Sequence, residues 1–96
     1  MTSISICVPT RDEVSIDFAI SLSELRADLA AHGITHWLHT SRGSVLPAQR
    51  RQLVLEAQTM DASHILWLDS DMKFSGNVCR QLLVHDVDIV AAAYLT

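Results

Sequence analysis

The sequence predicts an α/β domain, a single Rossmann-like open parallel sheet in the order βαβαβαβ. Two observations predict it. Short apolar or alternating stretches take turns with longer stretches whose apolar residues recur at helical spacing, and Gly, Pro and Ser mark the joints between them. Such an alternation calls for parallel strands joined by right-handed helical crossovers, and its ligands bind beyond the carboxyl ends of the strands.

Residues 4–10, within SISICVPT, form the first strand, ended by Pro9-Thr10. Ser15 caps a helix whose residues Phe18, Ala19, Leu22, Leu25 and Leu29 share a face, and Gly33 stops it. ITHWLHT, residues 34–40, is the second strand, and SRGS is the loop that leaves it. A second helix runs from about Pro47, with Leu53, Val54, Ala57 and Met60 on one face. HILWLDSD, residues 64–71, is a third strand, apolar on both faces. A third helix covers about residues 75–85, with Val78, Cys79, Leu82 and Leu83 apolar, and DIVAAAYL, residues 88–95, reads as a fourth strand despite its three alanines.

Ninety-six residues make one domain over 1–96, with one modest core. The 49% apolar and 19% charged content is that of a globular chain, which argues against disorder. A net charge of −4 argues against nucleic acid as a partner, because phosphate contacts need a basic surface. No apolar run approaches the roughly 18 residues of a membrane span, and the start lacks a signal peptide's basic and apolar pattern, so a cytoplasmic location is expected. Cys7 and Cys79 lack metal-site spacing and read as small core residues.

The chemistry gathers at the strand ends. Arg11, Arg42, Arg50, Arg51 and Lys73, five of the seven basic residues, fall on the edge formed by the loops after residues 10, 40 and 69. Arg50 and Arg51 oppose the macrodipole of the second helix, and Arg50 precedes Leu53, Val54 and Ala57 at helical spacing, which predicts a place on the buried stripe facing an anion. Asp69 and Asp71 lie on the same edge, one residue apart. Two such carboxylates repel unless a proton or cation lies between them, and hard oxygen ligands suit Mg²⁺ or Mn²⁺, which take phosphates as further ligands. His36, His39 and His64 read as core-edge residues, His85 as a cation at a helix end, and Trp37 and Trp67 as core.

The apolar strand ending in Asp69-Ser70-Asp71 resembles the DxD motif of GT-A glycosyltransferases, the nucleotide-diphospho-sugar transferases. ISICVPTRDE is similar to their first strand and its Pro-Thr turn. The stretch with Ala48, Arg50, Val54 and Ala57 is similar to the family's helix about a dozen residues before the motif. The resemblance implies that Thr10, Arg11 and Asp12 line a nucleoside pocket, that Arg50 approaches ribose or diphosphate, and that Ser70 belongs to the nucleotide site. It implies that Asp69 faces ribose and the metal shell, and that Asp71 ligates Mn²⁺ or Mg²⁺ bridging two phosphates of a donor such as a UDP-sugar. The chain departs from the family at Arg51, where Asn is usual, and at the HTS end of the second strand, where an acid is common. With Thr96 as the last residue, a catalytic base is unassigned. The acceptor is unknown, and its side of the site is expected from a second copy or a partner.

Two other readings use the same residues. In haloacid-dehalogenase-like phosphatases two aspartates serve as nucleophile and general acid/base, but on the first strand and with a different residue in place of Met72. A non-catalytic nucleotide-binding module, completed by a partner chain, needs only the edge. A P-loop is absent.

Overall fold

A computed structural model describes residues 2–10, 13–42 and 46–84. The described elements are β1 (Ser3–Pro9), α1 (Ile16–Ala31), β2 (Thr35–Ser41), α2 (Leu46–Thr59), β3 (His64–Trp67) and α3 (Val78–Val84). The three strands form one parallel sheet in the order β2-β1-β3, an open α/β arrangement with helices. The expected fourth strand, residues 88–95, lies outside the described residues, so the full βαβαβαβ order rests on the sequence alone. Among the described residues no helix is long and apolar enough to cross a membrane.

β1 is the central strand, and its alternate residues feed two different layers. Ile4, Ile6 and Val8 point into the larger core with Phe18, Leu25 and Leu29 of α1, Leu66 and Leu68 of the third strand region, and Val78, Cys79 and Leu82 of α3. Cys7 packs on the opposite face against Leu53 and Ala57 of α2, with Trp67 beside them. Burying each large apolar side chain contributes about 1.5–3 kcal/mol, so the first face holds most of the hydrophobic stabilisation.

Local chemistry sets the helix ends. Ser15, with extended backbone, accepts the amide of Phe18 through its hydroxyl at 3.1 Å, and Asp17 complements the dipole in the first turn. At the other end His32 donates back into the last turn, and Gly33 turns the chain with φ +69 before Ile34 donates to the Leu29 carbonyl at 2.9 Å. Space around Gly33 is open, so its requirement is the left-handed backbone alone.

α3 is joined to α1 by Arg80, whose Nε and Nη2 donate to the two carboxylate oxygens of Asp28 at 2.7 and 3.0 Å. The guanidinium holds the Asp28 carboxyl below the usual carboxylate range, and His32 beside it acts in the same direction. At the lower end of the sheet the starts of β1 and β3 are tied. Ser3 and Ser63 exchange amide-to-hydroxyl bonds of 2.8 and 3.0 Å, and the Ser63 hydroxyl also donates to the Ser3 carbonyl.

Candidate functional site at the carboxyl edge of the sheet

Parallel pairing brings the ends of all three strands to one edge. There the Thr10 amide and hydroxyl both donate to the Ser41 carbonyl, at 2.9 and 3.1 Å, which fixes the β1 and β2 exits against each other. With its proton committed, the Thr10 hydroxyl offers a ligand only an acceptor. The Ser41 hydroxyl in turn donates to Oε1 of Gln49 at 3.2 Å, holding the first turns of α2 to the end of β2.

The third exit carries the paired carboxylates. β3 ends at Trp67, earlier than the 64–71 span expected, because the chain turns: the Met72 amide donates to the Asp69 carbonyl at 3.3 Å, and the Asp69 amide approaches Met72 Sδ at 3.2 Å. Beyond the turn, residues alternate between solvent and core. Asp71, Lys73 and Ser75 are exposed, whereas Met72 and Phe74 are buried.

Phe74 meets Phe18 edge to face, with centroids 5.9 Å apart, and its amide donates to the Ser21 hydroxyl at 3.2 Å. The Ser15 amide donates to the Ser70 carbonyl at 3.2 Å. Gly76 lies so close to α1 that a Cβ there would meet Glu24 Cβ at 3.1 Å. The carboxylate-bearing loop is thus strapped along α1 at three points. Asp69 and Asp71 are exposed on it, and neither carboxylate has a hydrogen bond or ion pair among the described residues. Two unengaged oxygen ligands on one anchored turn fit a hard divalent cation that keeps water and takes phosphate for its remaining positions. Among the described residues no group of three or more His, Cys, Asp or Glu side chains could hold a metal by protein ligands alone.

Arg50 requires a correction. It is exposed, and the buried side of α2 is made by Gln49, Leu53 and Ala57, spaced by four, with Val54 only half-buried. The side chain instead lies over Trp67, its guanidinium carbon 5.7 Å from a ring centroid. This contact holds a cation against β3 two residues before Asp69. Trp67 itself is half-buried against the Cys7, Leu53 and Ala57 cluster. Arg42 directly follows β2 and Lys73 follows the turn, both exposed, and Arg51 is exposed on α2. Arg11 and Asp12 lie outside the described residues, as does His85.

A polar cluster under α2 is not evident from the sequence. His39 Nε2 lies 3.3 Å from the hydroxyl of Ser5, and its Nδ1 lies 3.7 Å from a carboxylate oxygen of Glu56. The order of groups is that of a hydrolase triad, but Ser5 has 0% of its surface exposed and no acyl group could reach it. Cys7 beside it is also sealed, and burial, aided by Glu56, pushes its thiol up to about 11. The cluster fastens α2 to the sheet. Its only signal in the sequence is the shared alternation of Ser5, Cys7 and His39, which gains meaning once the β1–β2 register is known.

No family model, no curated protein and no solved structure matches the chain.

Proposed function

We propose that the chain is a metal-dependent glycosyltransferase that binds a nucleotide-diphospho-sugar, such as a UDP-sugar, at the carboxyl edge of the sheet. The observation that carries this reading is the Asp69-Ser70-Asp71 turn, exposed and strapped to α1, with Arg50 held over Trp67 at the same strand end. Asp71 and Asp69 would hold Mn²⁺ or Mg²⁺. The ion would supply Lewis-acid stabilisation of the departing nucleoside diphosphate.

The chain's own residues do the positioning. Thr10 presents an acceptor toward the nucleoside side; Arg11 and Asp12, outside the described residues, are assigned to the same pocket by the resemblance alone. Arg50, pre-oriented by the indole, offers a guanidinium to phosphate oxygens. The acceptor sugar side is supplied in this reading by a second copy or another chain. A phosphatase of the haloacid-dehalogenase type is disfavoured by position, since the paired aspartates follow β3 at a flank of the described sheet and not its central strand.

Melting curves test the reading. UDP or GDP at 100 times its dissociation constant should add about 2.7 kcal/mol in the presence of Mn²⁺ or Mg²⁺ and little in EDTA. Asp71→Ala should remove the metal-dependent shift while leaving the apo protein folded, since that side chain is exposed and makes no bond among the described residues. Equal shifts with and without EDTA would sink the metal-bridged reading. Binding of every UDP-sugar offered, with no nucleotide released with or without acceptors, would reassign the chain as a non-catalytic module.

A further inference from the structure

The turn that carries the two carboxylates is closed by a single side chain. The Leu68 amide donates to the Cys7 carbonyl of β1 at 3.1 Å, but the Asp69 amide leaves the sheet. Its acceptor among the described residues is the thioether of Met72, with N to Sδ at 3.2 Å, and the Met72 amide returns a bond of 3.3 Å to the Asp69 carbonyl. One residue thus holds both backbone groups of Asp69, and Asp71 lies inside the loop that the two bonds close.

Packing alone does not call for methionine here. Met72 is 9% exposed and belongs to the larger core cluster with Leu66, Leu68 and Phe74. Leu would fill nearly the same volume, and exchanges that conserve volume cost little. What Leu lacks is an acceptor. A thioether sulfur accepts a hydrogen bond, if weakly, and an amide turned toward the core loses stability when its acceptor is removed. The stem of Met72 is rooted in a close-packed interior, whereas Asp69 and Asp71 are exposed, so the sulfur carries the rigidity of the core to a turn at the surface.

We propose that Met72 is a positioning residue of the cation site: its sulfur fixes the Asp69 backbone, and with it the spacing of Asp69 and Asp71, before any ion arrives. The role rests on the nucleotide-site reading above, whereas the sulfur contact does not. Mg²⁺ demands near-ideal ligand geometry, so a turn held in advance binds such an ion more tightly than one ordered only on binding.

Amide exchange on the full chain, followed by NMR, tests the contact. In Met72→Leu the Asp69 amide should exchange about tenfold faster, while the Leu68 and Phe74 amides, bonded to the Cys7 carbonyl and the Ser21 hydroxyl, keep their rates. Mn²⁺-dependent affinity for UDP, read by calorimetry, should fall roughly tenfold, the low end of the loss when a group that orients a metal ligand is removed. Norleucine incorporated for methionine keeps the shape without the sulfur and should repeat both effects. Selenomethionine keeps an acceptor of the same kind at that place and should behave as wild type. Unchanged Asp69 exchange in the Leu and norleucine chains would overturn the contact, and equal acceleration at Leu68 and Phe74 would reduce Met72 to a packing residue. Faster Asp69 exchange with undiminished Mn²⁺-dependent UDP affinity would overturn the positioning role alone. A wild-type chain with no Mn²⁺-dependent UDP binding would sink the nucleotide reading and the positioning role with it, whatever the exchange rates show.

Discussion

The two faces of the sheet are built on opposite principles. The face under α1 and α3 is apolar apart from Ser21, whose buried hydroxyl accepts the Phe74 amide, with Ile4, Ile6, Val8, Phe18, Leu25 and Leu29 almost entirely removed from solvent. The face under α2 has a small apolar patch and is otherwise polar: Ser5, His39, Ser41 and Gln49 are all buried there. Hydrophobic burial is non-directional and gives stability, whereas buried polar groups must be paired and so fix one arrangement of the helix. The difference teaches that this domain is held together on one side and set in register on the other. The carboxylate turn is anchored to the stable side, through Ser15, Ser21 and Phe74. Arg50 comes from the registered side.

Three substitutions probe that contrast. Phe18→Ala should cost about 3–5 kcal/mol in denaturant unfolding, because it opens a cavity in the apolar layer and removes the ring against Phe74. A loss under about 1 kcal/mol would mean that the apolar layer is not the main source of stability. His39→Ala should cost about 1–3 kcal/mol, since it leaves the fully buried Ser5 hydroxyl without this partner. The amide-exchange protection lost in that variant should be concentrated in α2 and β2 and leave α1 intact; uniform loss would contradict the division of labour between the faces.

The smallest effect belongs to Asp28 and Arg80, a partly exposed pair of the kind that contributes little. Its sign is nonetheless defined. Because the folded carboxyl is held below its unfolded value of about 3.9, the pair contributes fully above that pH and its contribution is lost as pH falls through the lower, folded value. Wild type should therefore exceed Arg80→Gln in stability at neutral pH, and the gap should close in acid. A gap that persists once both carboxyl forms are protonated would assign the effect to packing of the arginine stem.

Much of this frame is legible in the residues themselves. Ser15 and Gly33 bracket α1 as cap and stop, and the spacing of Phe18, Leu25 and Leu29 identifies its inner face. Both read directly because capping and left-handed turns are local physics. The inner face of α2 is another matter. Arg50 leads Leu53, Val54 and Ala57 at helical spacing, yet Gln49 leads Leu53 and Ala57 equally well, and a charge looks no worse than an amide in one dimension. The choice is made across the sheet, where the Ser41 hydroxyl bonds Gln49 and the Trp67 ring receives Arg50. The same holds for the end of β3. Leu68 and Asp69 continue an extended pattern on paper, but the core needs Met72 and Phe74, and reaching it requires the chain to turn after Leu68.

The placement of the two cysteines has a practical consequence. Cys7 is enclosed beneath α2 and Cys79 beneath the opposite layer, and burial raises both thiols to about 11, so neither reacts appreciably while its cover is closed. Alkylation at neutral pH must then wait for a local opening, and each thiol waits for a different one. A single alkylation time course, resolved by peptide mass, would time the departure of α2 from the sheet separately from the departure of α3, with no foreign probe introduced.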